Sequence, residues 1–413
     1  MLIEFKKTLS CCLAGLVFCA HAYASELSYE LRYQVDLKQS PGDALVRIEI
    51  PDAKLLKELD FKLNATRHLD LRANGRLAID NGRAQWFPPS EHAQLSLRVP
   101  ITHKRDDDSY DALWTEDWAL FRGDDLVPTV RVVSEDGAFA QATLNFVLPE
   151  HWEVNTGWER LDKNEFKIDK PERRFDRPVG WMIAGKIGTR RDEISGTQIA
   201  VSAPKGQRIE RMSNLSFLHA LWPEFKQVFE TLPPELLIVS ADDPMWRGGL
   251  SAPNSLYLHA DRPVVSENGT STLVHELVHV VTGLRGKANS DWIVEGIAEF
   301  YSVELQFRAG TMNAERRQKT MDSLKKWSRD VKTLAHSRSH GAITARAVLL
   351  FDELSRELST NGKSIDELTR KLVETKKVSL EGLKKDCQSL LAKPCQTLEE
   401  NKTLFVPPTK GER

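Results

Sequence analysis

The sequence predicts an α+β multidomain protein, in which an N-terminal all-β domain of sandwich type precedes a mainly helical domain. Residues 25–206 alternate apolar and polar side chains, which is the period of half-buried strands. Residues 207–406 carry apolar side chains mostly at helical spacing. The chain has 413 residues, 41% hydrophobic and 28% charged, which is an ordinary balance for folded domains. We therefore expect a domain boundary near Gly206.

Residues 1–24 have the pattern of a signal peptide. Lys6 and Lys7 precede an uncharged, mainly apolar run over residues 8–20, and Ala22-Tyr23-Ala24 matches a cleavage site of small residues. This run is too short to span a bilayer, and no other stretch approaches the length of a span. We expect a mature chain without a transmembrane segment, exported to the periplasm or secreted. A buried N-terminal helix is the alternative.

The β-rich region contains three segments in which the alternation is most regular. Turn-forming pairs such as Asn74-Gly75 and Asn81-Gly82 lie between them. A strand that alternates in this way buries one face and exposes the other, as in two packed sheets. The three predicted strands are residues 27–37, 44–50 and 94–99.

The helical region also contains two short apolar segments, residues 236–240 and 255–259, which we predict as buried strands. Glycines separate the longer segments, as expected at the ends of helices. Residues 407–413 are expected to form a disordered tail. The predicted helices span residues 212–230, 272–281, 292–308, 314–335, 343–358, 364–373 and 380–391.

Two cysteines, Cys387 and Cys395, lie outside the predicted signal peptide, which contains Cys11, Cys12 and Cys19. Two cysteines at short separation in an exported protein predict one disulfide. Two buried free thiols are the alternative. A zinc site at this position is not favoured, because no second pair of Cys or His accompanies them.

The segment His275-Glu276-Leu277-Val278-His279 predicts a metal site. On a helix, His275 and His279 lie on one face, one turn apart, so that both imidazoles can bind one Zn²⁺. Glu276 then lies beside them and can hold the water that zinc polarises. The flanking residues are uncharged, and Ser271 is a suitable N-cap. The alternative is a buried helix whose two histidines are satisfied by hydrogen bonds alone.

A second segment supplies the remaining groups that a zinc site needs. Glu295 and Glu299 are also four residues apart and lie among apolar neighbours. A catalytic zinc requires a third protein ligand and one open position, and Glu295 can be that ligand. Glu299 can accept the free N–H of His275 and so fix the tautomer of the ring. The alternative, two solvated acids on a surface helix, does not explain the apolar neighbours.

HELVH followed by WIVEGIAEFYS resembles the gluzincin zinc metallopeptidases, whose second segment typically has the form W-x-x-E-G-x-A/T-x-x-Y. Both the M1 aminopeptidase type and the M61 (glycyl aminopeptidase-like) type place a β domain ahead of a thermolysin-like helical domain. The change of pattern near Gly206 agrees with that order. The resemblance implies metallopeptidase activity and one Zn²⁺ per chain, held by His275, His279 and Glu295.

Gly248, Gly249 and Leu250 resemble a Gly-Gly-Leu segment that M61 enzymes place on the strand lining the substrate cleft. The M1-type Gly-x-Met-Glu-Asn segment, whose Glu binds the amine of the substrate, is replaced here by residues 249–254, which contain no carboxylate. The resemblance therefore predicts a substrate-binding strand, but it does not predict recognition of a free amine.

These families also place a tyrosine ahead of a later helix, where it stabilises the oxyanion. This sequence has no clear match to that tyrosine. His340 is the nearest residue of suitable chemistry, and Tyr301 and Tyr257 are the other candidates.

The function that the residues and the resemblance predict is peptide-bond hydrolysis, with Glu276 as general base and a peptide or protein as substrate. The net charge of −2 gives no electrostatic reason to expect a nucleic acid partner. Two alternatives stay open: a catalytically inactive, zinc-bound scaffold or chaperone-like binding protein, and a zinc hydrolase that acts on a bond other than the peptide bond.

Overall fold

The computed structural model describes residues 27–169 and 175–407. The predicted signal peptide and nearly all of the predicted tail lie outside the described residues. A β-rich region precedes a mainly helical one, which confirms the predicted α+β class. The strands, in chain order, are β1 (Ser28–Asp36), β2 (Asp43–Asp52), β3 (Leu56–Lys62), β4 (Leu69–Ala73), β5 (Arg76–Asp80), β6 (Arg83–Phe87), β7 (Glu91–Pro100), β8 (His103–Lys104), β9 (Tyr110–Trp114), β10 (Trp118–Arg122), β11 (Thr129–Ser134), β12 (Phe139–Val147), β13 (Glu153–Thr156), β14 (Glu159–Asp162), β15 (Glu165–Ile168), β16 (Trp181–Gly185), β17 (Ile187–Ile194), β18 (Thr197–Pro204), β19 (Glu235–Ala241), β20 (Gly249–Ala252), β21 (Ser255–His259), β22 (Arg285–Gly286) and β23 (Lys377–Val378).

The helices match the predicted segments in number and order from residue 211 onwards, with short additions at the C-terminal end. A 3₁₀ turn, Lys402–Phe405, follows the last of them. The helices are α1 (Gly123–Leu126), α2 (Arg211–Val228), α3 (Thr272–Thr282), α4 (Asp291–Arg308), α5 (Ala314–Trp327), α6 (Ala342–Thr360), α7 (Ile365–Thr375), α8 (Leu380–Leu391) and α9 (Gln396–Glu400).

Three sheets form the N-terminal region and share one hydrophobic core. The largest has the strand order β14-β15-β12-β1-β2-β7-β4, and the others have the orders β11-β3-β6-β5 and β13-β16-β10-β9-β8. Ile48 from the first sheet, Trp86 from the second and Met182 from the third all belong to this core and are fully buried. The three predicted strands correspond to β1, β2 and β7. Their alternating burial follows the alternation of the sequence.

A fourth sheet, with the order β17-β18-β19-β21-β20, begins the helical region. Its first two strands form a hairpin over residues 187–204, and β18 pairs in parallel with β19. The predicted boundary near Gly206 is therefore placed too late, because the change of sheet occurs between β16 and β17. Alternation identifies a strand but does not say which sheet the strand joins, so the pattern of the sequence cannot separate the hairpin from the strands before it.

One predicted helix is shorter in the structure. Helix α5 ends at Trp327, whereas the sequence pattern continues to Ala335. The residues after the helix bind the C-terminal segment instead. The Leu334 N–H donates to the Leu404 carbonyl at 2.7 Å, and the Thr333 hydroxyl donates to the same carbonyl at 3.1 Å. These long-range bonds replace the helical ones, which local spacing cannot reveal.

Helices α3 and α4 pack against each other inside the helical core and carry the predicted metal site. The Ser271 hydroxyl caps α3 by accepting the Val274 N–H at 3.3 Å, as predicted, and Gly283 ends the helix in a left-handed conformation. Gly296 lets α4 approach α6 closely, because a methyl group there would lie 2.7 Å from the Ala347 methyl carbon. Both ends of α3 are thus fixed by local sequence, whereas the position of α4 depends on its contact with α6.

A chain of ion pairs ties α4 to the helices that follow it. Glu304 accepts from Arg308 and from Arg317, each at 3.0 Å. Arg308 also reaches Asp366 on α7 at 2.7 Å, and Arg317 reaches Asp352 on α6 at 2.8 Å. Each charge has an opposite partner, so the network fixes the relative positions of four helices.

The C-terminal part contains the predicted disulfide. Cys387 and Cys395 are bonded, with their Cα atoms 6.1 Å apart, and both side chains are buried. Within the described part of the chain, no helix has both the length and the apolar character needed to cross a membrane.

We expect reduction of this disulfide to lower the free energy of unfolding by about 2–3 kcal/mol, because the closed loop is short. The measurement is urea unfolding with and without tris(2-carboxyethyl)phosphine. The matched control is the double variant Cys387→Ser/Cys395→Ser, which should match the reduced protein and not respond to the reductant. A wild-type protein that is equally stable with and without reductant contradicts the prediction.

Candidate metal centre

Helix α3 presents its two histidines on the face that meets α4. His275 and His279 are four residues apart, their ring centroids are 4.7 Å apart, and their side chains are 15% and 14% exposed. The opposite face, including Leu273, Leu277 and Val278, is buried in the core. The helix is therefore amphipathic: its apolar face is buried, and its partly exposed face presents the two imidazoles.

Glu295 on α4 completes a group of three donors. Its carboxylate oxygens lie 3.3 Å from His275 Nε2 and 3.5 Å from His279 Nε2, while the two Nε2 atoms are 3.0 Å apart. The structure thus brings together the three residues that the sequence predicts as ligands. They form one of the groups of His and carboxylate side chains that are arranged to hold a metal ion.

These distances fit zinc. Four ligand atoms arranged tetrahedrally at zinc-to-donor distances of about 2.0–2.1 Å lie roughly 3.3–3.4 Å from one another. The three separations in this group bracket that value. Three protein ligands also leave the fourth position free, which is the arrangement of catalytic rather than structural zinc sites.

Glu299 holds His275 from the side away from the other ligands. Its Oε2 atom lies 2.9 Å from His275 Nδ1, so that this nitrogen carries the proton and Nε2 keeps its lone pair for the metal. Ser302 in turn donates to the same Oε2 atom at 3.3 Å. The sequence prediction missed Ser302, although its position three residues after Glu299 on one helical face was a usable signal.

The charge balance of the group favours a cation. Burial disfavours the charged form of His275, but hydrogen bonds to Glu295 and Glu299 outweigh it and hold the pKa of His275 well above its usual value. Without a metal ion Nε2 therefore also carries a proton, which a bound metal ion would replace. Burial also acts to raise the pKa of Glu295, but its hydrogen bonds to His275 and His279 hold that pKa well below the usual range. The Glu295 carboxylate is thus arranged to be ionised and to receive positive charge.

Strand β20 passes directly over Glu276. The Glu276 side chain is 8% exposed, and a methyl group on Gly249 would lie 2.7 Å from Glu276 Cγ and 2.6 Å from Thr272 Cγ2. Glycine at position 249 is therefore required by space rather than by backbone conformation. The predicted general base and the predicted substrate strand are in contact, which sequence spacing alone did not show.

Two of the predicted oxyanion candidates are engaged elsewhere. Tyr301 is fully buried, and its hydroxyl is hydrogen-bonded to Asp366 at 2.9 Å and to Thr369 at 3.0 Å. Tyr257 is also fully buried, and its hydroxyl donates to the Trp246 carbonyl at 2.9 Å. The prediction that either hydroxyl stabilises an oxyanion is therefore corrected, because both support the packing of other elements.

His340 is the remaining candidate, and it lies on the exposed loop ahead of α6. The preceding residue anchors this loop, since the Ser339 N–H donates to the Asp291 carboxylate at 2.8 Å. Asp291 is on α4 one turn before Glu295, so the loop lies beside the metal-binding face of that helix. The Asp291–Ser339 contact was not predicted, because it joins residues far apart in the sequence.

A second group of donors, Asp242, Asp243 and His259, also lies close enough together to hold an ion. Asp243 is already paired with Arg247 through both carboxylate oxygens. His259 Nδ1 accepts the Asp261 N–H at 3.2 Å, which leaves the proton of a neutral ring on Nε2, the atom that faces Asp243 at 3.3 Å. A protonated nitrogen is not a ligand, so we interpret this group as an ion-pair cluster.

We compared the chain with protein families, with curated proteins and with solved structures. Neither protein-family models nor curated proteins give a match. Several solved structures are similar to this chain over most of its length. An aminopeptidase N family protein from Idiomarina loihiensis is similar over 84% of this chain and 70% of that one, with 14% identity and a TM-score of 0.62. An M1 zinc metallopeptidase from Deinococcus radiodurans is similar over 92% and 94%, with 15% identity and a TM-score of 0.60.

Aminopeptidase A from Legionella pneumophila, in complex with aspartic acid, is similar over 91% of this chain and 49% of that one, with 14% identity and a TM-score of 0.58. This chain therefore spans about half the length of that protein. At such identities the likeness establishes the fold alone. The chain has the fold of the M1 zinc metallopeptidases, which confirms the predicted M1 resemblance, while the M61 resemblance stays a prediction.

We expect Glu299→Gln to weaken zinc binding by about 10- to 100-fold, because the His275 ring loses its charged acceptor. The dissociation constant is measured by competition with a chelating dye. Glu267→Gln, which removes the same charge from an exposed loop ahead of α3, is the matched control and should bind zinc as the wild type does. Equal affinity in the wild type and both variants contradicts a role for Glu299.

Proposed function

We propose that the protein is an exported zinc-dependent metallopeptidase that hydrolyses peptide bonds, with Glu276 as the general base. The observation that carries this proposal is the position of Glu276 between the three-ligand group and strand β20. A base within reach of both a metal position and an extended backbone is suited to attack on an amide carbonyl.

His275, His279 and Glu295 would hold the zinc ion, and Glu299 would keep His275 in the tautomer that binds it. When bound, zinc supplies Lewis acidity, which polarises a carbonyl and makes water near it more acidic. Glu276 then accepts a proton from the attacking water and transfers it to the leaving amine. Its low exposure keeps bulk water from competing for that proton.

Strand β20 offers a backbone edge for the substrate. It lies at the end of its sheet and pairs on one side only, with β21. The Gly248 carbonyl accepts from the His259 N–H, so alternation along the antiparallel pair turns the backbone groups of Gly249 and Ser251 outwards. An extended peptide can pair with these groups and pass over Glu276.

The same strand has no acidic side chain that could bind the amine at a peptide's N-terminus. Residues 249–252 are Gly, Leu, Ser and Ala, and the following two are Pro and Asn. We therefore propose that hydrolysis does not depend on a free amine. His340 is the proposed donor to the oxyanion, on the basis of its loop being anchored at Asp291 beside Glu295.

Export is part of the proposal. The pattern of residues 1–24 supports it, and the Cys387–Cys395 disulfide agrees with an oxidising compartment. The oxidised pair also argues against free thiols as the native state of these cysteines.

We expect Glu276→Gln to lower the rate of peptide hydrolysis by about 10²- to 10⁴-fold with the zinc content unchanged, because the variant keeps the ligands and loses the base. The measurement uses N-acetylated peptides and the same peptides with free amines, with metal content determined in parallel. Glu295→Ala is the companion variant and should lose zinc and activity together.

Each result has a distinct meaning. Hydrolysis of acetylated peptides supports the proposed independence from a free amine, whereas hydrolysis of free-amine peptides alone contradicts it. A wild-type protein that binds zinc but cleaves no peptide supports the scaffold or the non-peptide hydrolase instead. Glu276→Gln activity equal to that of the wild type excludes Glu276 as the base.

A further inference from the structure

A large, positively lined cavity lies where three sheets meet, and none of its lining residues belongs to α3, α4 or β20. It has a volume of about 850 Å³ and lies between β13, β14 and β17. We call it the arginine cavity, after Arg160 and Arg191. Its lining carries four cationic side chains against two carboxylates; these are Arg160, Lys163, Arg191 and Lys205, and Glu150 and Glu153.

A buried amide positions the two arginines. Asn155 is only 3% exposed, and its Oδ1 atom accepts from Arg160 at 2.8 Å and from Arg191 at 2.5 Å. Its Nδ2 atom donates to the hydroxyls of Thr189 at 2.8 Å and Ser202 at 3.1 Å. With both ends of the amide fixed, the two guanidinium groups are held side by side at the wall of the cavity.

Neither guanidinium has a carboxylate partner within ion-pair distance among the described residues. The other acceptors of Arg160 are the neutral carbonyls of Val154 and Lys163. Glu153 and Glu235 act on Arg160 from farther away, but burial and the nearby charge of Arg191 dominate and lower the pKa of Arg160. Two like charges held together at a common neutral acceptor repel each other, so a bound anion would relieve that repulsion.

We propose that the arginine cavity binds a phosphate group carrying more than one negative charge, such as a phosphate monoester or a diphosphate. Among the described residues, Arg191 donates only to Asn155, so the remaining N–H groups of its planar fork can bind phosphate oxygens. Arg160 uses most of its donors within the protein and contributes its positive charge beside that fork. A single carboxylate offers fewer acceptors and less charge. The phosphate can belong to a soluble ester or to the headgroup of a lipid, and these sources share the same chemistry.

The neighbouring residue on β17 provides a matched control. Arg190 and Arg191 are consecutive on the strand, so their side chains point to opposite faces, and Arg190 lines a different cavity. Arg191→Gln and Arg190→Gln therefore remove the same charge from nearly the same place. Arg160→Gln and Arg191→Lys complete the set, the latter keeping the charge while losing the planar pair of donors.

The experiment titrates inorganic pyrophosphate into the full zinc-loaded protein and follows binding by calorimetry. We expect Arg191→Gln and Arg160→Gln to weaken binding at least about tenfold, with Arg191→Lys between them and the wild type. Arg190→Gln should bind as the wild type does. Melting temperatures measured in parallel identify any variant that fails to fold, and the remaining variants then decide the question.

A second arm separates the two sources by sedimentation with phosphatidylcholine vesicles that contain or lack phosphatidic acid. Binding that requires phosphatidic acid and is lost in Arg191→Gln assigns the cavity to a lipid headgroup. Pyrophosphate binding without vesicle binding assigns it to a soluble phosphate. The proposal is overturned by no binding of either probe, by binding unchanged in Arg191→Gln, or by equal weakening in Arg191→Gln and Arg190→Gln.

Discussion

The metal centre depends on the hydrogen bond between Glu299 on α4 and His275 on α3. Two imidazoles with their Nε2 atoms 3.0 Å apart lie beside carboxylates, and the lone pairs and protons of such a group need defined partners. The Glu299 carboxylate fixes the proton on one nitrogen of His275 and thereby frees the other. Ser302 supports the bond from α4, since its hydroxyl donates to the same Glu299 oxygen.

Two glycines set how closely neighbouring elements pack against α3 and α4. Gly296 allows α4 to lie against Ala347 of α6, and Gly249 allows β20 to lie against Glu276. A methyl group at either position would meet atoms at 2.7 Å or less, and a close-packed core cannot absorb such an intrusion without displacement. The site thus requires glycine at these two positions as specifically as it requires its ligands. The ion pairs of Glu304 then hold the far end of α4 in place.

The sequence predicts the parts of this site that lie within one helix or between two adjacent helices. His275, His279, Glu295 and Glu299 follow from a spacing of four residues, and the α+β order follows from the change of periodicity. The hairpin of residues 187–204 could not be assigned to its sheet, because pairing partners do not show in periodicity. For the same reason Tyr301 could not be excluded as an oxyanion donor, since its partner Asp366 lies on a distant helix. Contacts between remote residues, rather than local patterns, are what the structure adds.

Strand β20, which lies against Glu276, and strand β17, which carries Arg191, are the two edge strands of one five-stranded sheet. Four strand spacings of about 4.8 Å place them roughly 19 Å apart, which is more than twice the Debye length at physiological ionic strength. At such a distance an anion bound at Arg160 and Arg191 interacts with Glu276 by only about 1 kcal/mol per unit charge at an effective dielectric constant of about 20. Anion binding is thus suited to localising the protein at a phosphate-bearing partner. The chemistry at α3 and α4 then proceeds independently of it.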